Sequence, residues 1–85
     1  MHEHIIPLET FETSKCCTKR DYAKHIHNII AELPGVAEYQ VPTISEIMES
    51  IKTKIPFSVN CYPIQYKFNP KTMKLNQITL TASAN

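Results

Sequence analysis

The chain has 85 residues, a formal net charge of +1, 42% hydrophobic residues and 20% charged residues, which is the composition of a folded domain and not of a disordered tail. One domain, residues 1–85, is the expectation at this length. A single glycine excludes a phosphate-cradling loop, and no apolar stretch approaches the roughly 18 residues that would cross a membrane.

The first segment, Glu3 to Leu8, reads as a short strand that Pro7 confines to a sheet edge. It follows a start that lacks both the basic residues and the long apolar run of a secretion signal, so a cytoplasmic location is expected. A helix is predicted from Lys19 to Leu33. Thr18 is its N-cap, and Asp21 lies three residues on, where a carboxylate also meets the positive helix end. Tyr22, Ile26, Ile29, Ile30 and Leu33 recur at helical spacing as its buried stripe, and Pro34-Gly35 stops it. Ala37, Tyr39 and Val41 alternate with Glu38 and Gln40, which predicts a short strand. A second helix is predicted from Ile44 to Lys54, opened by the capping box Thr43 and Glu46, with Pro42 set to touch Ile47. Its stripe is Ile44, Ile47, Met48 and Ile51, continued by Ile55, and Pro56 closes it.

The C-terminal third is predicted to be a long hairpin turning at Asn69-Pro70-Lys71-Thr72, because Asn and Pro suit the first two positions of a type I turn. Opposing Phe68 to Met73 pairs Tyr66 with Leu75 and Cys61 with Leu80. Ile64, Tyr66, Phe68, Met73 and Leu75 then share one face. Phe57, Val59, Cys61, Pro63, Ile78, Leu80 and Ala82 share the other. Both runs change phase at one level, near Pro63, where the missing amide hydrogen suits a bulge or an edge. In order the elements read β-α-β-α-β-β. The expected class is α+β, a small two-layer sandwich with a long C-terminal hairpin and two helices on one face of the sheet.

The candidates for chemistry are sparse. His2-Glu3-His4 and His25-Ile26-His27 each place two imidazoles two residues apart, but on a helix the second pair diverges by about 200°. No Cys-x2-Cys or His-x3-His spacing is present, so no metal site is expected. Cys16-Cys17 precede a helix N-terminus, which favours a thiolate, yet no third residue orients a base such as His25, and no catalysis is expected. Asp21 and His25, four apart, suit a surface pair. With three Cys an all-paired framework cannot close. The expectation is reduced thiols with Cys61 packed as a small apolar residue, a disulfide from Cys16 or Cys17 to Cys61 being the alternative.

Short stretches, Tyr39-Gln40-Val41, Ile55-Pro56, Cys61-Tyr62-Pro63 and Gln77-Ile78-Thr79-Leu80, resemble the last part of T2-type ribonucleases over about half of the chain. That family's histidine motifs have no counterpart: His2-Glu3 is not followed by Lys-His-Gly, and Thr81 stands where the family tends to place Cys. No ribonuclease residue carries over.

The function expected from these features is protein binding without catalysis and without a cofactor. A regulatory or inhibitor-like module, of the compact Gly-poor kind that a phage or virus encodes, would act through the hairpin face Ile64, Tyr66, Phe68, Met73 and Leu75. Aromatic residues and Met are enriched in interface centres, and the partner would be another protein or a second copy. A hairpin that twists so that its own monomer covers both faces is the plainer alternative. From a different class, a nucleic-acid binder would set Lys19, Arg20, Lys24, Lys52 and Lys54 against phosphate and stack bases on Tyr62 or Tyr66. The lysines lie in short groups along the chain, which gives no concentrated basic face.

Overall fold

The computed structural model describes residues 2–79. Four strands, β1 (His2–Pro7), β2 (Phe57–Asn60), β3 (Ile64–Asn69) and β4 (Lys74–Thr79), form one antiparallel sheet in the order β1-β4-β3-β2. Between β1 and β2 come α1 (Phe11–Ser14), α2 (Lys19–Ala31), a 3-10 turn at Glu38–Gln40, and α3 (Ile44–Thr53). The class is α+β, with the helices layered on one face of the sheet.

Helix starts follow the capping chemistry. The Thr18 hydroxyl accepts the Asp21 N–H at 3.0 Å. At α3 the bonds are reciprocal, Glu46 N–H to Thr43 Oγ1 at 3.1 Å and Thr43 N–H to Glu46 Oε1 at 2.8 Å, so two orphan amide hydrogens of the first turn are satisfied together. Helix ends are set by left-handed residues. The exception is α2, which stops at Ala31, short of the expected Leu33, with Glu32 capping it at φ −99° and its N–H bonded to the Ile29 carbonyl; Gly35, at φ 82°, turns the chain only afterwards, in a conformation in which a side chain would be strained. Lys54, at φ 64°, ends α3 before Pro56 does. The buried Ser50 hydroxyl donates to the Ile55 carbonyl, which fixes the exit and turns the Ile55 side chain out, 63% exposed. The short α1 has its own box, Thr10 with Thr13, and presents Phe11 edge-on to Tyr22 at 5.9 Å.

Two expected elements differ. Ala37–Val41 is a 3-10 turn and not a strand. Gln40 Oε1 accepts the Ala37 N–H at 2.8 Å, while its amide donates to the Asn60 carbonyl at 2.9 Å. A local side-chain bond has taken the place of a ladder. The expected long strand from Phe57 to Phe68 is two strands, because residues 61–63, with a cis Tyr62-Pro63 bond, reverse the chain. The change of phase at Pro63 is therefore a turn. Phe57 opposes Phe68 and Val59 opposes Tyr66, on one face with them and not on the opposite one.

The β3–β4 turn also differs in register. Asn69 Oδ1 accepts the Lys71 N–H at 2.9 Å, and the Asn69 carbonyl accepts the Met73 N–H at 2.8 Å. This makes a four-residue loop with Met73 at φ 55°. Phe68 opposes Leu75 instead of Met73, and Tyr66 opposes Gln77. A displacement of two residues preserves faces, so Tyr66, Phe68 and Leu75 stay together. The expected hairpin partners Leu80 and Ala82 lie outside the described residues.

The core joins Tyr22, Ala23, Ile26 and Ile30 of α2 and Ile47 of α3 to Val59, Tyr66, Phe68 and Leu75 of the sheet, each no more than 2% exposed. Its two phenols are satisfied by backbone, Tyr66 to the Pro34 carbonyl at 2.8 Å and Tyr22 to that of Glu9. Burial first, then the charges of Cys16, Glu12 and Glu9, pushes the Tyr22 phenol up to about 12. Burial raises Tyr66 in the same direction. An unfolded phenol loses its proton near pH 10 while the folded one keeps it. The folded state then binds more protons, and this share of stability, complete below about pH 10, falls as pH rises towards 12. Tyr22→Phe should flatten the decline, a result checked by urea midpoints at about pH 9 and about pH 11.

Candidate binding surfaces

The hairpin face expected to meet a partner is enclosed by its own chain. Tyr66, Phe68 and Leu75 are 0% exposed, and Ile64 and Met73 are partly buried against the same cluster. The physical reason is economy of apolar faces in a short chain. The stripes of α2 and α3 need an apolar partner, and this is the only apolar face the sheet provides among the described residues. Its opposite face is mostly polar: Gln65 and Lys67 of β3 and Lys74 and Asn76 of β4 accompany Ile5 and Ile78.

What the chain leaves open lies beside β2. The large exposed hydrophobic side chains among the described residues are Tyr39 (88%), Ile55 (63%), Tyr62 (63%) and Ile5 (47%). Each of the first three adjoins the edge strand β2. Ile55 comes two residues before β2 and Tyr62 two after it, and Tyr39 is brought in by the Gln40–Asn60 bond. Tyr39, Ile55, Val41, Pro42 and Phe57 line a cleft of about 540 Å³ between the 3-10 turn, α3 and β2.

A second concavity, about 850 Å³, lies between α1, α2, α3 and the β3–β4 loop. Three residues of the expected basic set, Lys19, Lys52 and Lys54, line it, joined by Lys71. Arg20 and Lys24 are exposed on α2 and are not among its lining residues. Of the two tyrosines expected to stack on bases, Tyr62 is exposed and Tyr66 is fully buried.

The remaining candidates are scattered. Cys16, Cys17 and Cys61 are free thiols. Cys61 is half-buried and donates to the Ile64 carbonyl at 2.7 Å, and burial pushes its thiol up, which disfavours the nucleophilic thiolate. His25 stands 3.6 Å from Glu9 and not against Asp21, because α1 and the segment before it lie across that flank of α2. His27 Nδ1 donates to the Pro42 carbonyl at 2.8 Å, linking the C-terminal half of α2 to the start of α3. Among the described residues no three His, Cys, Asp or Glu side chains gather to hold a metal ion, and no helix is long and apolar enough to cross a membrane. No family model, curated protein or solved structure matches the chain.

Proposed function

We propose that this protein acts by binding another protein, as a small regulatory module without chemistry of its own, and that the contact is made at the cleft beside β2. The observation that supports this reading is that Tyr39 and Ile55, both more than 60% exposed, line one cleft with Val41, Pro42 and Phe57, with Tyr62 exposed past the far end of the same edge strand. Exposed apolar side chains scattered singly need no explanation, but a contiguous group marks an interaction surface. Tyrosine is among the residues most enriched in interface centres, since it offers a large contact area at little cost in side-chain entropy. The ring of Tyr39 contributes almost nothing to the fold it sits on.

The test is a Tyr39→Ala, Tyr62→Ala double variant. Both rings are exposed, so the denaturation midpoint should stay within about 0.5 kcal/mol of wild type. Partners recovered with wild-type protein by cross-linking, or self-association followed by sedimentation, should weaken by 2 kcal/mol or more, about thirtyfold. Unchanged association in a folded variant would sink the reading.

A further inference from the structure

We infer that the groove between α1, α2, α3 and the β3–β4 loop is a second binding site, and that it takes an acidic amphipathic helix of a partner protein. Its floor is apolar and pliable. Phe11, Met48, Ile51 and Met73 line it and are all half-buried, and Met in particular adapts to the side chains laid against it.

The long dimension follows α3. Ser45, Met48, Glu49 and Lys52 all line the groove, and they stand at i, i+3, i+4 and i+7, one face over two helical turns. That is roughly 10 Å of helix at 1.5 Å per residue, the length over which a docked helix inserts its own apolar residues at the same spacing.

The rim sets the charge of the occupant. Lys19, Lys52, Lys54 and Lys71 come from three different elements and converge here, against Glu12 and Glu49. Among the described residues the only ion pair within 4 Å is His25–Glu9, so none of these lysines is neutralised by direct contact with a carboxylate. Four unpaired ammonium groups around an apolar floor complement a helix that carries Leu or Phe on one face and Glu or Asp beside it.

A nucleic acid fits less well, because the two rings in the groove are already engaged with each other and no exposed aromatic platform lines it among the described residues. Tyr22 is 2% exposed, and Phe11 packs edge-on against it.

The groove shares one lining residue, Glu49, with the cleft beside β2, and the experiment separates the two. The probes are a fluorescent peptide of roughly 15 residues, long enough to hold a helix, with Leu at the spacing above and Glu on its flanks, the same peptide with Lys for every Glu, and a labelled single-stranded oligonucleotide. The proteins are the full chain, Lys52→Glu with Lys71→Glu, Lys19→Glu with Lys54→Glu, and Tyr39→Ala with Tyr62→Ala. All four lysines are exposed, so circular dichroism should show each variant folded, and the two lysine pairs provide two separate readings of the rim. The expected result is that the acidic peptide binds the full chain, perturbing backbone amide resonances of α3 and of residues 71–73. Either lysine pair should weaken it at least tenfold and improve binding of the Lys peptide. The tyrosine variant should bind like wild type. Equal binding of the two peptides, tighter binding of the oligonucleotide with loss in the same lysine variants, or perturbations confined to Tyr39, Ile55 and Tyr62 would overturn the proposal.

Discussion

Replacing both Tyr66 and Phe68 by Ala should abolish cooperative unfolding, leaving a chain without a thermal transition and without fixed aromatic circular dichroism. Truncating a buried aromatic residue costs about 3 to 5 kcal/mol from lost transfer energy and the residual cavity. Both rings are 0% exposed and lie two residues apart on one face of β3, a central strand of the sheet. The Phe68 ring packs 5.0 Å from that of Phe57, so its loss also loosens the edge strand. Removing the Tyr66 hydroxyl also removes the bond it donates to the Pro34 carbonyl at 2.8 Å, a net loss of about 1 kcal/mol. Neighbouring truncations are not strictly additive. Even so, a combined loss of about 6 to 10 kcal/mol is comparable with the whole stability expected for 85 residues, about 4 to 13 kcal/mol. A variant that instead melts near the wild-type temperature would show that these rings lie outside the core, and would return them to the list of partner contacts.

The parts of this fold that are legible in the sequence are those decided within a few residues. Thr18 with Asp21 and Thr43 with Glu46 locate both long helices because a cap needs only its own first turn, and the core stripes follow from helical spacing. The sequence is ambiguous where a local pattern has two solutions. Alternation across Ala37–Val41 suits a strand, but Gln40 can bond both Ala37 and Asn60, and only the second partner, twenty residues away, makes the 3-10 turn the better arrangement. A change of phase at Pro63 is compatible with a bulge in one strand or a reversal between two. The first leaves two apolar faces to be covered, whereas the reversal gathers Phe57, Val59, Tyr66 and Phe68 on one, which two helices can cover.

The binding surfaces are less legible for a related reason: sequence pattern identifies what is apolar, not what remains uncovered. Tyr66, Phe68 and Leu75 have the residue types of an interface centre and belong to the core. Tyr39 and Ile55 fit strand and helix stripes respectively and are exposed, because a 3-10 turn and a left-handed Lys54 turn them outwards. Lys71 is absent from the expected basic set since its place beside Lys19, Lys52 and Lys54 depends on how the β3–β4 loop meets the helices. The signal that was available for it is the Asn69-Pro70 turn, which had to project the next residue from the sheet.

Ile47→Ala and Ile55→Ala should part sharply although both residues continue one apolar stripe. Ile47 is 0% exposed, and its side chain belongs to the cluster that joins α2 and α3 to the sheet. Its truncation should cost about 2 to 5 kcal/mol and lower the urea midpoint accordingly, with the slope of the transition unchanged. Ile55 lies beyond the left-handed Lys54 and is 63% exposed, so its truncation should alter stability by no more than about 0.5 kcal/mol. Because Ile55 lines the cleft with Tyr39, that same variant should still weaken partner association. Equal destabilisation by the two variants would mean that the helix runs on through Lys54 and that the stripe, Ile55 included, is buried. A stable Ile55→Ala with undiminished association would instead confine the contact to the tyrosines, since the one property that then separates the residues around β2 is the aromatic ring.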